Sequence, residues 1–184
     1  MGRGLLIAGV LTLLVAQPAT GRAKTARCKV SNGAVPARFV SLAVKLPPGF
    51  ALRSNSKQCL LFKGSAPQSA DVLINLMAVH QRDAGAEQLL NVKPDGAKKW
   101  FRKINGARNA TGARQGTVKV EGRKWPYYTL QGRVMGQPGR TAIVCRVQKK
   151  RHNVVLILVA KPSHAPRAAA LFRSVARTLQ VTVH

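Results

Sequence analysis

Three short runs gather cations, two of them around aromatic side chains: Lys98-Lys-Trp-Phe-Arg-Lys103, Arg123-Lys-Trp-Pro-Tyr-Tyr128 and Lys149-Lys-Arg151. Ammonium and guanidinium groups at that density hold phosphate, sulfate or carboxylate, and a neighbouring indole can stack on a base or enter a lipid interface. The candidate anion-binding residues are therefore Lys98, Lys99, Arg102, Lys103, Arg123, Lys124, Lys149, Lys150 and Arg151. A charge run is ordinarily a solvated face, yet a solvated face needs no single sign. Here 31 Lys and Arg stand against 5 Asp and Glu, a formal +26 on 184 residues, and that imbalance carries a cost in self-repulsion. Long-range attraction survives only ~8 Å in physiological salt, so binding of this kind is broad and salt-sensitive.

Other chemistry has thinner support. His80, His152, His164 and His184 have no metal-ligand spacing, and a lone histidine is most often structural; no metal site or cofactor is indicated. Asp83 and Glu87 stand four apart, as a general-acid pair on one helix face would, although acids near a helix start more often complement its dipole. There is no Gly-x-Ser-x-Gly turn, no recognised phosphate loop and no Cys-x-x-Cys. Asn109-Ala-Thr111 matches a glycosylation sequon, a three-residue pattern common by chance.

All five carboxylates, Asp71, Asp83, Glu87, Asp95 and Glu121, lie in the middle of the chain. An average protein of this length carries about twenty charges of each sign, so acids are depleted while bases are enriched. An acidic habitat accounts for the depletion, because each paired carboxylate loses its stabilising charge as pH falls. Contact with a polyanion accounts for both, and drift in an Arg- and Ala-rich genome remains the bland alternative.

Residues 1–23 read as a secretory signal peptide: Arg3, an apolar run from Leu5 to Ala16, and small residues at Ala19-Thr-Gly21 or Gly21-Arg-Ala23. The run is shorter than the ~20 residues a membrane helix needs, and no later segment could span, so no transmembrane segment is expected after signal removal. Thr-Ala-Arg before Cys28 lacks the aliphatic residue of a lipoprotein signal. The expected organisation is 1–23 signal peptide, 24–37 N-terminal arm and 38–184 a single α+β domain, which is a size that buries a real core.

Three cysteines in an oxidising compartment leave one pair and one odd thiol. Cys145 shares an alternation face with Ile143 and Val147 and reads as a small buried hydrophobe. Cys59 points away from Leu60 and Phe62. Of the three pairings, Cys28 with Cys59 is favoured, tying the loose arm to the sheet.

The elements that must position these residues are mostly strands. Period-2 patterns predict strands over Arg38–Leu46, Cys59–Phe62, Val72–Val79, Thr117–Val120, Trp125–Val134, Thr141–Lys149 and Asn153–Val159, with hairpin turns at Glu121-Gly122 and around Lys149–Asn153. Ala86–Asn91 fits a short helical turn. Asp95 is placed to cap a helix over Gly96–Ile104, with Ala97, Trp100, Phe101 and Ile104 on its apolar face. A closing helix over Pro166–Leu179 presents Ala168, Leu171, Phe172, Val175 and Leu179 inward, with Ser163 or His164 as cap. The result is an α+β fold: a largely antiparallel sheet of six or seven strands covered by a central and a C-terminal helix.

Val44-Lys-Leu-Pro-Pro-Gly-Phe50, the Gly122-Arg-Lys-Trp-Pro-Tyr-Tyr128 hairpin, the Val154–Val159 strand, and Leu171-Phe-Arg-Ser-Val175 followed by Thr178-Leu-Gln-Val181 together resemble the PsbP-like fold, which includes DcrB-type bacterial envelope proteins. The resemblance spans Phe39 to Val181. It implies a non-enzymatic accessory or binding domain of an envelope or lumen and brings no catalytic or ligand set with it; the charge and the third cysteine depart from the pattern. The expectation is a secreted or periplasmic non-enzyme binding an anionic lipid headgroup or envelope polysaccharide, with nucleic acid ranked lower because secretion separates the two. An envelope accessory protein that recognises a protein partner, its basicity reflecting habitat, comes second, and a small hydrolase third.

Overall fold

A computed structural model describes residues 24–32, 38–80, 111–134 and 137–184. Outside these lie the expected signal segment, the Ala86–Asn91 turn, Asp83 and Glu87, and the Gly96–Ile104 helix with Lys98, Lys99, Arg102 and Lys103. The described elements are β1 (Thr25–Ser31), β2 (Phe39–Lys45), β3 (Ala51–Ser54), β4 (Gln58–Lys63), β5 (Val72–His80), β6 (Thr111–Val120), β7 (Arg123–Val134), β8 (Gln137–Lys149), β9 (His152–Ala160), α1 (Ala165–Thr178) and β10 (Gln180–Val183). Among them no helix is long and apolar enough to cross a membrane.

The strands form two sheets, ordered β3-β4-β5-β9-β8-β7-β6 and β1-β2-β10, with every neighbouring pair antiparallel. β9 is apolar almost throughout and buried at every residue but the half-buried Ile157, as a central strand covered on both faces must be. β2 alternates instead: Val40, Leu42 and Val44 are buried, while Ser41, Ala43 and Lys45 face outward. α1 packs against β2, β6, β8 and β9, so its apolar stripe lies between the two sheets. Phe172 is fully buried there, its ring centroid 5.5 Å from that of Tyr127. Gly116 makes the close approach of that tyrosine possible, because a Cβ would overlap the Tyr127 ring.

The largely antiparallel α+β architecture expected from the sequence is found, with its closing helix and, among the described residues, three strands more than the apolar patterns announced; the expected central helix lies outside these residues. The segment read as an arm contains β1, paired along its whole length with β2. β3 has no buried residue and β10 is four residues long, so neither offers a pattern to read. His164 occupies the cap position of α1 but makes no side-chain capping bond. Cys28 and Cys59 are joined, with Cα atoms 6.4 Å apart, linking the three-stranded sheet to β4 of the larger one. Cys59 sits on the core face beside Leu61, fully buried and pointing away from Leu60 and Phe62; Phe62 is buried too, because the larger sheet is covered on both sides.

A candidate anion-binding cleft

The β6–β7 hairpin pairs Val120 with Arg123, leaving Glu121-Gly122 as a two-residue turn. Both turn residues have positive φ, 46° at Glu121 and 79° at Gly122, the backbone that matches the twist of antiparallel strands. Glycine takes this conformation freely, but glutamate does so at a cost of about 1 kcal/mol. Its carboxylate is well placed in return. Lys149 Nζ, at the end of β8, donates to both Glu121 oxygens at 2.8 Å, and the backbone N–H of Val181 donates to Oε1 at 2.8 Å. Lys149 also donates to the Val181 carbonyl. One carboxylate and one ammonium thereby satisfy the free edge of β10 at Val181 and hold the hairpin turn, β8 and the small sheet together.

Burial alone would raise the Glu121 carboxyl. The Lys149 hydrogen bond, the Val181 N–H and the charges of Lys149 and Arg123 outweigh it and hold the group below the ordinary carboxylate range. Asp71 is also held low, by the hydrogen bond and charge of Lys161 at 2.7 Å. Both carboxylates among the described residues are thus committed to lysines of the same chain.

Beside this latch opens a cleft of about 1020 Å³ lined by Arg27, Lys45, Lys119, Lys149 and Arg177 against the single carboxylate of Glu121. Each cation arrives there by a local rule. Ala26 and Val30 turn inward on β1, so Arg27 turns outward; Val118 and Val120 do the same for Lys119. On α1 the buried Phe172, Val175 and Ala176 leave Arg177 on the exposed side. Among the described residues, Arg27, Lys45, Lys119 and Arg177 have no ion-pair partner. The last turn of α1 also opens on the cleft, and its dipole contributes roughly half a negative charge. Four cations without an ion-pair partner among the described residues outweigh that, so the lining carries a net positive charge.

Of the residues expected to bind anions, Lys149 lines the cleft but is already tied to Glu121, and Arg123 lies close enough to lower the Glu121 carboxyl. Lys124, Lys150 and Arg151 are exposed on the two hairpins and are not part of its lining. Lys124 stands directly across the ladder from Lys119, a like-charge pair that works against the hairpin. The aromatics of that run are not free to stack: Tyr127 and Tyr128 are buried and Trp125 is half-buried against the core. Sequence reasoning missed Arg27, Lys45, Lys119 and Arg177. The alternation of Ala26, Cys28 and Val30 with Arg27 and Lys29 was the one signal for the first of them.

Elsewhere the chemistry is structural. His152 is buried, its Nδ1 3.2 Å from Asn32 Nδ2; His184 Nε2 lies 2.7 Å from Ser41 Oγ. The described residues hold no group of three metal-ligating side chains. Cys145 is a free thiol buried on the core face beside Ile143 and Val147, and burial pushes it up to about 12, far from a reactive thiolate.

No family model matches the chain, and no curated protein does. Among solved structures it is similar to cyanobacterial PsbP (CyanoP) from Synechocystis, at 16% identity and a TM-score of 0.53, covering 92% of this chain and 99% of that one. At that identity the likeness concerns architecture alone: the chain has a PsbP-like fold.

Proposed function

We propose that this is a non-catalytic secreted or periplasmic protein that binds an anionic surface or polymer through the cleft beside Glu121. One observation carries the reading: Asp71 and Glu121 are consumed by Lys161 and Lys149, while Arg27, Lys45, Lys119 and Arg177 line one cleft without an acidic partner among the described residues. Like charges gathered in this way repel each other, and an anionic ligand removes that cost on binding. The signal-like N-terminus and the Cys28–Cys59 bond support an oxidising compartment. There, lipid headgroups and envelope polysaccharides outrank nucleic acid as ligands.

The test is a salt titration of the purified protein against anionic vesicles, lipopolysaccharide, an acidic polysaccharide and DNA. Binding to one class that persists at ~0.15 M salt is the expected result. If all four bind weakly and alike and vanish together as salt rises, the cations reflect habitat and the reading is wrong.

A further inference from the structure

The cleft does not end at Arg27. Across the outer face of the three-stranded sheet the pairing places Thr25 opposite Lys45, Arg27 and Gln180 on either side of Ala43, and Lys29 and Thr182 on either side of Ser41. These residues share one face, because their neighbours Ala26, Val30, Leu42, Val44 and Val181 are buried on the other. Between Phe39 and Lys45 the central strand contributes Ser41 and Ala43, small residues between the longer side chains of β1 and β10. That difference in height makes a trough, a second groove of about 530 Å³ with Arg27, Ala43, Gln180 and Thr182 in common with the cleft. Cleft and trough are therefore one track.

Cations and hydrogen-bonding side chains recur along its length. Cations stand on one side, with Arg27 and Lys29 about 7 Å apart along β1. Hydroxyl and amide groups of Ser41, Thr182 and Gln180 line the other side and the floor. The Lys29 ammonium lies over the Phe39 ring, 4.8 Å from its centroid, a cation–π contact that favours this position at the far end of the trough. A point anion, or a headgroup presented by a flat membrane, uses one end of such a track. A linear polymer with repeating anionic groups and many hydroxyls matches both the row of cations and the row of hydrogen-bonding side chains.

Resting on the anion-binding reading above, we infer that the ligand is a linear acidic polysaccharide that enters at the Glu121 cleft and lies along the outer face of the three-stranded sheet as far as Lys29. Two substitutions separate this from simple attraction to charge. Ala43→Tyr fills the trough and leaves every charge in place; Lys29→Gln removes only the far cation and lies outside the cleft lining.

The experiment measures the affinity of the purified protein for size-fractionated heparin and polygalacturonate oligosaccharides, with free sulfate and anionic vesicles alongside, after circular dichroism confirms that each variant is folded. The inference expects affinity to rise with oligosaccharide length. It expects Ala43→Tyr to weaken long oligosaccharides by about tenfold or more, and Lys29→Gln to weaken long ones but not the shortest, with a shallower salt slope. Should Ala43→Tyr misfold, Lys29→Gln decides alone. Long oligosaccharides that bind normally to the folded variants overturn the track while leaving the cleft reading intact. So does a preference for vesicles. A wild-type protein that binds none of the probes overturns both.

Discussion

β9 and the outer face of the three-stranded sheet are both β-structure, yet they are built to opposite specifications. β9 has hydrophobic cover on both faces and carries no Lys or Arg from His152 to Ala160. The outer face of β1-β2-β10 has one buried side and, on the other, Arg27, Lys29 and Lys45 with no ion-pair partner among the described residues. Burial at ~25 cal/mol per Å² makes the first a source of stability. Unpaired surface cations contribute nothing comparable and repel one another. The contrast teaches that the fold is held by one region and that the charge in the other needs an explanation outside folding.

That contrast is open to attack at several depths. Phe172→Ala removes a fully buried ring shared by helix and sheet and should cost about 3–5 kcal/mol of unfolding free energy in denaturant titration. A loss below about 1 kcal/mol would mean that the helix is not part of the core. Next comes the Cys28–Cys59 bond, which closes a loop of 31 residues; chain-entropy arguments give about 3–4 kcal/mol for such a loop, read as the drop in stability of a Cys28→Ala, Cys59→Ala protein. That loss should fall on the attachment of the small sheet, with hydrogen-exchange protection lost in β1 and β2 before β9.

The smallest effect belongs to the Glu121 latch. Its carboxyl is depressed in the folded state, so the stability it supplies is complete above the unfolded value of ~4.3 and is lost as pH falls through the lower folded value. Both partners are about a third exposed, so the pair is worth no more than ~1 kcal/mol. The Val181 amide donates to Glu121, and its NMR shift should titrate with a midpoint below the ordinary glutamate range; Glu121→Gln should abolish that titration. A midpoint at or above the ordinary value would mean that the latch does not form.

How far the sequence was readable follows from the range of the forces involved. β2, β4, β5, the end of β6, β7, β8, β9 and α1 announce themselves because the burial of Val40, Leu42 and Val44, of Val118 and Val120, or of Phe172 and Val175, imposes a period on neighbouring residues. The Glu121-Gly122 turn was legible for the same local reason. β3 and β10 bury too little to leave a period, and β1 was hidden by its position in a segment read as an arm. The candidate site was less legible still. Contiguous runs such as Lys149-Lys-Arg151 are visible as text, whereas Arg27, Lys45, Lys119 and Arg177 stand far apart in the chain and meet only through strand pairing and helix docking. The role of Glu121 was equally hidden, since nothing local links it to Lys149 or to Val181.

The most direct test of the central claim compares two variants of equal net charge: one with Arg27, Lys45, Lys119 and Arg177 changed to Gln, the other with Arg123, Lys124, Lys150 and Arg151 changed to Gln. Affinity for an acidic polysaccharide is measured across a salt series. A specific cleft predicts that the first variant loses binding at ~0.15 M salt while the second keeps most of it, with only a shallower salt slope. Equal losses in both would contradict the account, because they would show that the polymer responds to total charge and not to the cleft.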